Sequence, residues 1–428
     1  MSSSPFYDAL ETRDPQLREQ ALMAALARQI VHAQLETTAY RELLAGVDAS
    51  RVNSREALAA LPLTRKSELL ARQAASRETD ALGGYATVGW GGLMGPRLAR
   101  RVFQSPGPLY EPEGQASDYW RMARALYAAG FRAGDLVHNS FSYHLTPAGS
   151  MMEGGAHALG CSVFPGGVGN TELQLQAVAD LRPQAYAGTP SFLKILMDKA
   201  AEQGSVDGKG AAMRSVRKAL LSGEAFPAAL REWLAERGVA AYQCYATADI
   251  GLIAYETSAR EGLVLDEGVI LEIVRPGSGE PVPDGEVGEV VVTTLNPDYP
   301  LIRFATGDLS AVLPGACPSG RSNTRIKGWM GRADQSAKVR GMFVHASQVA
   351  QLVKQFPELT RARLLIEGEM AQDQMRLQVE VAAPLEGLAE RLAVAVRELT
   401  KLRAEVELLA SGALPNDGRV IEDRRRLD

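Results

Sequence analysis

Residues 118–141 read DYWRMARALYAAGFRAGDLVHNSF, in which a helical stretch leads through a glycine-containing turn into a short apolar run. The same alternation continues in HALGCSVFPGG (157–167), ADLRPQAYAGTP (179–190) and KALLSGEAF (218–226). Strands that alternate with helices are typical of βαβ units, in which the strands run parallel. We therefore predict an α/β fold built on a parallel sheet.

Composition limits the class of protein. The chain has 428 residues, of which 46% are hydrophobic and 23% charged, with a formal net charge of −5. This balance is that of a globular protein and offers no broad basic surface to a nucleic acid. Three dispersed cysteines indicate neither a disulfide framework nor a zinc site. Because the sequence shows neither a leader pattern nor a run of about 18 apolar residues, we expect a cytoplasmic protein without a membrane partner.

The sequence predicts two domains. Apolar residues at three- and four-residue spacing indicate a helical entry segment over 1–80, followed by the α/β core of 81–260. Alternating apolar and polar residues between Gly and Pro turns predict an antiparallel β subdomain over 261–330, which completes an N-terminal domain of residues 1–330. Residues 335–428 predict a small ferredoxin-like C-terminal domain of order βαββαβ. Its elements are expected at 337–344, 347–356, 361–367, 375–381, 385–402 and 405–409.

Separated motifs in a fixed order carry the functional information. SGEAF (222–226) is followed by YATAD (245–249), TGDL (306–309) and MGRAD (330–334). With LPLTRKSEL (61–69), YAAGFRAGD (127–135) and GTPSFL (188–193), this order resembles the adenylate-forming superfamily of acyl- and aryl-CoA ligases, closest to the phenylacetate-CoA ligase group. The resemblance implies an AMP-binding-like N-terminal domain, a mobile C-terminal domain, ATP and CoA as cosubstrates, and Mg²⁺ on the phosphates.

The resemblance also implies roles for individual residues. Asp308 would hold the two ribose hydroxyls, and Asp334 would be the hinge of the small domain. Further nucleotide contacts would come from Tyr245, Thr306, Arg332, Gly223 and Glu224. The residues alone leave alternatives open. TGDL also fits a turn between strands in which Asp308 caps its own backbone, and SGEAF fits a glycine turn after a buried strand. Arg332 could instead form a surface salt bridge.

Asp249 and the pair Phe141 and Tyr143 each have a functional and a structural interpretation. Asp249 stands where relatives usually carry a glutamate that binds Mg²⁺, and a helix N-cap is its alternative role. Phe141 and Tyr143 correspond to an aromatic pair near the acyl pocket of relatives, and core packing is the alternative. Both proposals depend on long-range contacts that sequence spacing does not determine.

Two segments depart from the family pattern. QSPGPLYEPEG (104–114) stands where relatives have a phosphate-binding loop of Ser, Thr and Gly. Its prolines have no N–H to donate, and Glu111 and Glu113 add negative charge where a triphosphate would lie. LPNDGRVIEDRR (414–425) lacks the catalytic lysine of the family, which leaves Arg419 as the nearest candidate cation.

We therefore predict a ligase-like enzyme that activates a small acyl or aryl carboxylic acid through an acyl-AMP and transfers it to CoA. Its partners would be the acid, a nucleotide and CoA, and a homodimer is one expected assembly. The alternative is a non-adenylating homologue that binds AMP, an acyl-adenylate or a CoA thioester without ATP chemistry, because both phosphate-handling segments have changed.

Overall fold

The computed structural model describes residues 4–91, 97–105, 108–203, 210–333, 335–340, 342–368, 372–381, 386–410, 412–415 and 419–425. The chain divides into two compact units. The first comprises Met1–Ser222 and Leu234–Trp329, and the second comprises Gly223–Trp233 and Met330–Asp428. In the described ranges, no helix is both long and apolar enough to cross a membrane.

The helices follow one another along both units. They are α1 (Pro15–Glu36), α2 (Thr38–Leu43), α3 (Arg55–Ala59), α4 (Lys66–Ser76), α5 (Met122–Ala128), α6 (Ala148–Ala158), α7 (Thr171–Leu181), α8 (Pro190–Glu202), α9 (Gly210–Met213), α10 (Ala228–Glu236), α11 (Ala346–Gln355) and α12 (Leu388–Thr400). Two short 3-10 helices lie at Ala9–Thr12 and Ala49–Arg51.

The strands of the first unit are β1 (Thr64–Arg65), β2 (Val88–Gly89), β3 (Arg97–Leu98), β4 (Arg101–Ser105), β5 (Leu109–Glu113), β6 (Leu136–Asn139), β7 (Ser162–Pro165), β8 (Ala185–Gly188), β9 (Lys218–Leu221), β10 (Ala240–Thr247), β11 (Gly251–Glu256), β12 (Leu263–Leu265), β13 (Val269–Val274), β14 (Gly288–Thr294), β15 (Phe304–Ser310), β16 (Val312–Leu313) and β17 (Arg325–Ile326). The second unit adds β18 (Ser336–Val339), β19 (Met342–His345), β20 (Leu359–Glu367), β21 (Gln374–Val381), β22 (Glu405–Ala410) and β23 (Ile421–Asp423).

A sheet of nine described strands, in the order β16-β17-β12-β11-β10-β9-β8-β6-β7, forms the centre of the first unit. Strands β6 to β10 pair parallel, which confirms the predicted parallel sheet. The change to antiparallel pairing, expected near residue 260, comes one strand earlier, because β11 already pairs antiparallel with β10. The residues of β11 are all buried, so no alternation of polar and apolar side chains marks it in the sequence.

A second sheet has the order β1-β15-β14-β13. The helical entry segment packs here, because α1 contributes Leu26 and Ile30 to the same core cluster as Phe304. The short strand β1 pairs parallel with the start of β15. The alternative interpretation of TGDL, a turn between strands, is wrong, because Thr306–Leu309 lies within β15. Gly307 in this strand has φ +75°.

In the second unit, β22-β21-β20-β23 form a sheet that α11 and α12 accompany. One strand was expected over 337–344, but the structure has the antiparallel hairpin β18–β19, because the chain reverses at Arg340 with φ +48°. Helix α12 buries the predicted stripe of Leu388, Leu392 and Val396. The predicted start of that helix, residue 385, lies outside the described residues.

Candidate active site

Two strands from different sheets bring three of the predicted nucleotide residues together. Tyr245 lies on β10, whereas Thr306 and Asp308 lie on β15. The Tyr245 hydroxyl donates to Asp308 Oδ2 at 2.7 Å and lies 3.2 Å from Thr306 Oγ1. Thr306 Oγ1 in turn donates to the carbonyl of Val290 and accepts from the backbone N–H of Asp308. The hydrogen bond from Asp308 N–H to Thr306 Oγ1 thus orders the backbone of β15. Tyr245 contacts the Asp308 carboxylate itself.

A second donor to Asp308 comes from outside the recognised motifs. The indole N–H of Trp329 donates to Asp308 Oδ1 at 3.0 Å. The aspartate is 8% exposed, so its carboxylate is largely removed from water and depends on protein donors for solvation. Trp329 falls between the motifs TGDL and MGRAD, and no sequence signal pointed to it.

Beside this cluster, Lys66 links three elements. The register of β1 places Arg65 opposite Ala305, so Lys66 leaves the strand at the level of Thr306. Its ammonium donates to Ser105 Oγ at 3.1 Å and lies 3.5 Å from Asp249 Oδ2. The Lys66 side chain is 37% exposed, whereas that of Asp249 is 6% exposed. Lys66 belongs to LPLTRKSEL, one of the motifs that carry the family resemblance.

Asp249 also has an acidic neighbour. Glu111 on β5 is fully buried, and Ser105 Oγ donates to its Oε1 at 2.5 Å. Burial and the nearby Asp249 carboxylate raise the pKa of Glu111 well above its usual range, although Lys66 acts in the opposite direction. Within the described part of the chain, Glu111 Oε2 and Asp249 Oδ1 are buried without a hydrogen-bond partner. The helix N-cap role considered for Asp249 is wrong, because the residue lies in the turn that joins β10 to β11.

The pair offers a partial fit to a divalent cation. The Asp249 oxygen without a donor is a suitable ligand for Mg²⁺, which prefers about six oxygens in octahedral geometry. The raised pKa of Glu111 disfavours the ionised form that a metal ion would need from that side chain. Among the described residues, no group of three or more His, Cys, Asp or Glu side chains is placed to hold a metal ion. Any Mg²⁺ here would therefore take most of its ligands from water and phosphate.

The hairpin β4–β5 contains the segment that departs from the family's phosphate loop. Its strands pair from Arg101–Glu113 to Ser105–Leu109, and residues 106 and 107 lie outside the described residues. Glu113 is 3% exposed and receives hydrogen bonds from Arg101 at 2.9 Å and from the Trp120 indole at 3.2 Å. Glu113 thus has structural partners, whereas Glu111 faces Asp249.

The expected aromatic pair of the acyl pocket consists of one core residue and one partly buried residue that lines a cavity. Phe141 is 7% exposed and packs in a hydrophobic core cluster. Tyr143 accepts a hydrogen bond from Asn139 Nδ2 at 2.7 Å, and burial raises its pKa. A cavity of about 550 Å³ follows the ends of β6 and β7, and is lined by Ser142, Tyr143, His144, Pro165, Gly166, Gly167 and Val168.

The remaining predicted residues belong to the second unit. Gly223, with φ +83°, and Glu224 follow β9 in a bend, and Arg332 is partly buried. The predicted hinge Asp334 lies outside the described residues. Arg419 accepts a hydrogen bond on its carbonyl from Arg363 Nε at 3.1 Å.

Comparison with known proteins identifies the family of this chain. Residues 140–296 match the sequence profile of a family described as AMP-binding enzyme. The phenylacetate-coenzyme A ligase of Thermus thermophilus is 30% identical over 427 residues, which cover 91% of this chain and 92% of that protein. That of Pseudomonas putida is 29% identical over 95% of this chain and 93% of its own length. The chain belongs to the phenylacetate-coenzyme A ligase family, which confirms the resemblance seen in the motifs.

A solved structure confirms the fold. The crystal structure of 2-hydroxyisobutyryl-CoA ligase, in complex with 2-HIB-AMP and CoA, superposes with a TM-score of 0.81. The match covers 99% of this chain and 93% of that protein at 24% identity. At this identity the similarity shows the adenylate-forming fold alone. It does not identify the substrate or the roles of residues.

Proposed function

We propose that this protein is an ATP-dependent acid–CoA ligase that acts on a small carboxylic acid. The observation that carries the proposal is the buried Asp308 carboxylate, held by Tyr245 across two sheets, in a chain of this family. Relatives at this similarity are phenylacetate-coenzyme A ligases, so an arylacetic acid is the first substrate to test.

The reaction proceeds in two steps. A carboxylate oxygen of the acid attacks the α-phosphorus of ATP, the bond to pyrophosphate breaks, and an acyl-AMP forms. The CoA thiol then loses its proton and attacks the acyl carbon, and AMP leaves with the electron pair of the broken bond. Both steps develop charge on oxygens, which positioned donors and cations stabilise.

The residues of the first unit divide this work. Asp308 accepts hydrogen bonds from the two ribose hydroxyls, and Lys66 supplies an ammonium on the phosphate side. Asp249 would offer a carboxylate oxygen to Mg²⁺, which would supply positive charge beside the phosphates. From the second unit, Gly223, Glu224 and Arg332 are proposed as nucleotide contacts and Asp334 as the hinge, each by resemblance to the family.

A specific observation favours a second candidate. Pro112 on β5 has no N–H, and Glu111 is buried beside Asp249, so this hairpin is poorly suited to cradle a triphosphate. With no lysine in LPNDGRVIEDRR, the protein would bind AMP, an acyl-adenylate or a CoA thioester without forming an adenylate. The family's lysine would otherwise neutralise charge at the α-phosphate.

Calorimetric titration separates the two candidates without knowledge of the acid. The ligase proposal expects Mg-ATP to bind at least as tightly as AMP, and expects AMP release when ATP, CoA and phenylacetate or related acids are supplied together. Binding of AMP without binding of Mg-ATP would support the second candidate. If neither nucleotide binds, the assignment of Asp308 is wrong.

Arg419→Lys gives a second discrimination. If the wild type forms no AMP and this variant does, the wild type is a non-adenylating protein. In an active ligase it should alter an activity that the wild type already has.

A further inference from the structure

Each oxygen of the Asp308 carboxylate accepts a hydrogen bond from an aromatic side chain. Trp329 Nε1 donates to Oδ1 at 3.0 Å, and the Tyr245 hydroxyl donates to Oδ2 at 2.7 Å. Tyr245 lies on β10, whereas Trp329 lies in the loop after β17. Donors from two separate elements fix both the position of the carboxylate and the rotation of its plane. Such an arrangement restricts the torsion that the aspartate side chain would otherwise sample.

Trp329 is itself held against the end of β15. The N–H of Lys327 donates to the carbonyl of Ala311 at 2.9 Å, and Ser310 Oγ donates to the carbonyl of Gly328 at 2.6 Å. Gly328 adopts φ +97°, a conformation that glycine tolerates better than other residues. The chain therefore reaches Trp329 through a segment anchored on both preceding residues, and its indole extends back to the same strand.

We propose that Trp329 is a positioning residue for recognition of the ribose, acting through Asp308. This inference rests on the proposed function, in which Asp308 accepts the ribose hydroxyls. A carboxylate can accept about four hydrogen bonds, so donation by Trp329 and Tyr245 is compatible with further hydrogen bonds from ribose hydroxyls. With the carboxylate already oriented, less conformational entropy is lost when the nucleotide binds.

The test uses the full-length protein and two nucleotides, AMP and 2′,3′-dideoxy-AMP, with dissociation constants measured by calorimetry. Wild-type protein should prefer AMP. Trp329→Phe removes the indole N–H and should weaken AMP binding by about tenfold, while binding of the dideoxy nucleotide changes by less than about twofold. The ribose preference should therefore shrink, a result that general damage to the site would not give.

Trp90→Phe is the matched control, because Trp90 is 38% exposed and lies outside the cluster. It should keep the wild-type preference. Trp329→His retains a ring N–H and should keep more of the preference than Trp329→Phe, which makes it the second variant if the phenylalanine protein folds poorly.

The outcomes separate this inference from the proposed function. If wild-type protein binds both nucleotides equally, the ribose role of Asp308 fails and the inference fails with it. If wild-type protein prefers AMP but Trp329→Phe keeps that preference, or weakens both nucleotides equally, the positioning role alone is overturned.

Discussion

Arg303 provides the sharpest stability prediction, because it is almost fully buried and all of its described partners are internal. It is 2% exposed, and its guanidinium pairs with Glu272 at 3.0 Å. It also donates to the carbonyls of Ala59 and Leu61 at 2.7 and 2.5 Å, and to that of Gly279 at 2.9 Å. Although Arg303 precedes TGDL closely, its contacts join the entry segment to the second sheet and are structural.

Arg303→Met should destabilise the first unit strongly. The substitution leaves Glu272, 8% exposed, without its ion-pair partner, so that only the longer-range charge of Arg55 remains. Removal of one member of a buried ion pair typically costs about 3–5 kcal/mol. Since folded proteins have about 5–15 kcal/mol of stability, this loss should lower the urea midpoint by a large fraction. The measurement is urea unfolding followed by far-UV circular dichroism.

The pH dependence adds a second expectation. Burial already raises the pKa of Glu272, and Arg303 opposes that effect. In the variant the folded pKa rises further above the unfolded value, so stability is retained at low pH and lost as pH rises through the folded pKa. The variant should therefore be closer to wild type at pH 5 than at pH 8.

Two further variants test the charge argument. Arg303→Met with Glu272→Leu should recover more than half of the loss, because no buried charge is left alone. Arg51→Met removes an exposed ion pair with Asp48 and should leave the midpoint unchanged. A loss below about 1 kcal/mol for Arg303→Met, or a double variant as unstable as the single one, would refute the reasoning.

Three other expectations concern separate parts of the first unit. Burial raises the pKa of Asp118 to about 7, so the free energy of unfolding of the wild type should fall as pH rises from about 4 to 7. Asp118→Asn keeps an acceptor for Ala123 N–H and should remove this fall. At pH 8 the variant should have the higher melting temperature, with a gain in the free energy of unfolding of at most on the order of 4 kcal/mol. Gly251→Ala should cost roughly 1–3 kcal/mol in urea unfolding, because φ is +81° and a Cβ would lie 2.8 Å from the Trp120 carbonyl oxygen. Lys66→Gln should lower acid-dependent AMP formation by roughly 10²–10³ while AMP binding stays near wild type, as measured by single-turnover assay and calorimetry.

A specific result would contradict each of these three predictions. Identical pH–stability curves for wild type and Asp118→Asn would show that this carboxyl does not titrate as expected. A Gly251→Ala protein as stable as wild type would contradict the backbone argument. Lys199→Gln, which removes an exposed lysine on α8, is the charge control for Lys66→Gln, and equal activity of the two variants would exclude a phosphate-side role for Lys66.

The fold was predictable where the sequence carries a local repeat. Alternating helical and apolar segments predicted the parallel sheet, and the stripe at Leu388, Leu392 and Val396 predicted α12. The antiparallel change was misplaced at β11, because a strand buried on both faces shows no alternation. The hairpin at Arg340 was missed, because a single residue with positive φ leaves no mark in a hydrophobic pattern.

The candidate site was predictable only as far as motif resemblance reached. It indicated Asp308, Tyr245 and Thr306, which the structure brings together. It gave no reason to select Trp329, whose contact with Asp308 depends on how the chain returns after β17. The residues assigned to the second unit stay predictions.

The sequence by itself determined the α/β class and the family, because side-chain periodicity and motif order are properties of neighbouring residues. Only the tertiary structure decided which distant residues share a site. Lys66 and Asp249 are 183 positions apart, yet they pair because β1 joins β15 and the turn after β10 reaches the same level. Such contacts arise from strand order and packing, which no local spacing encodes.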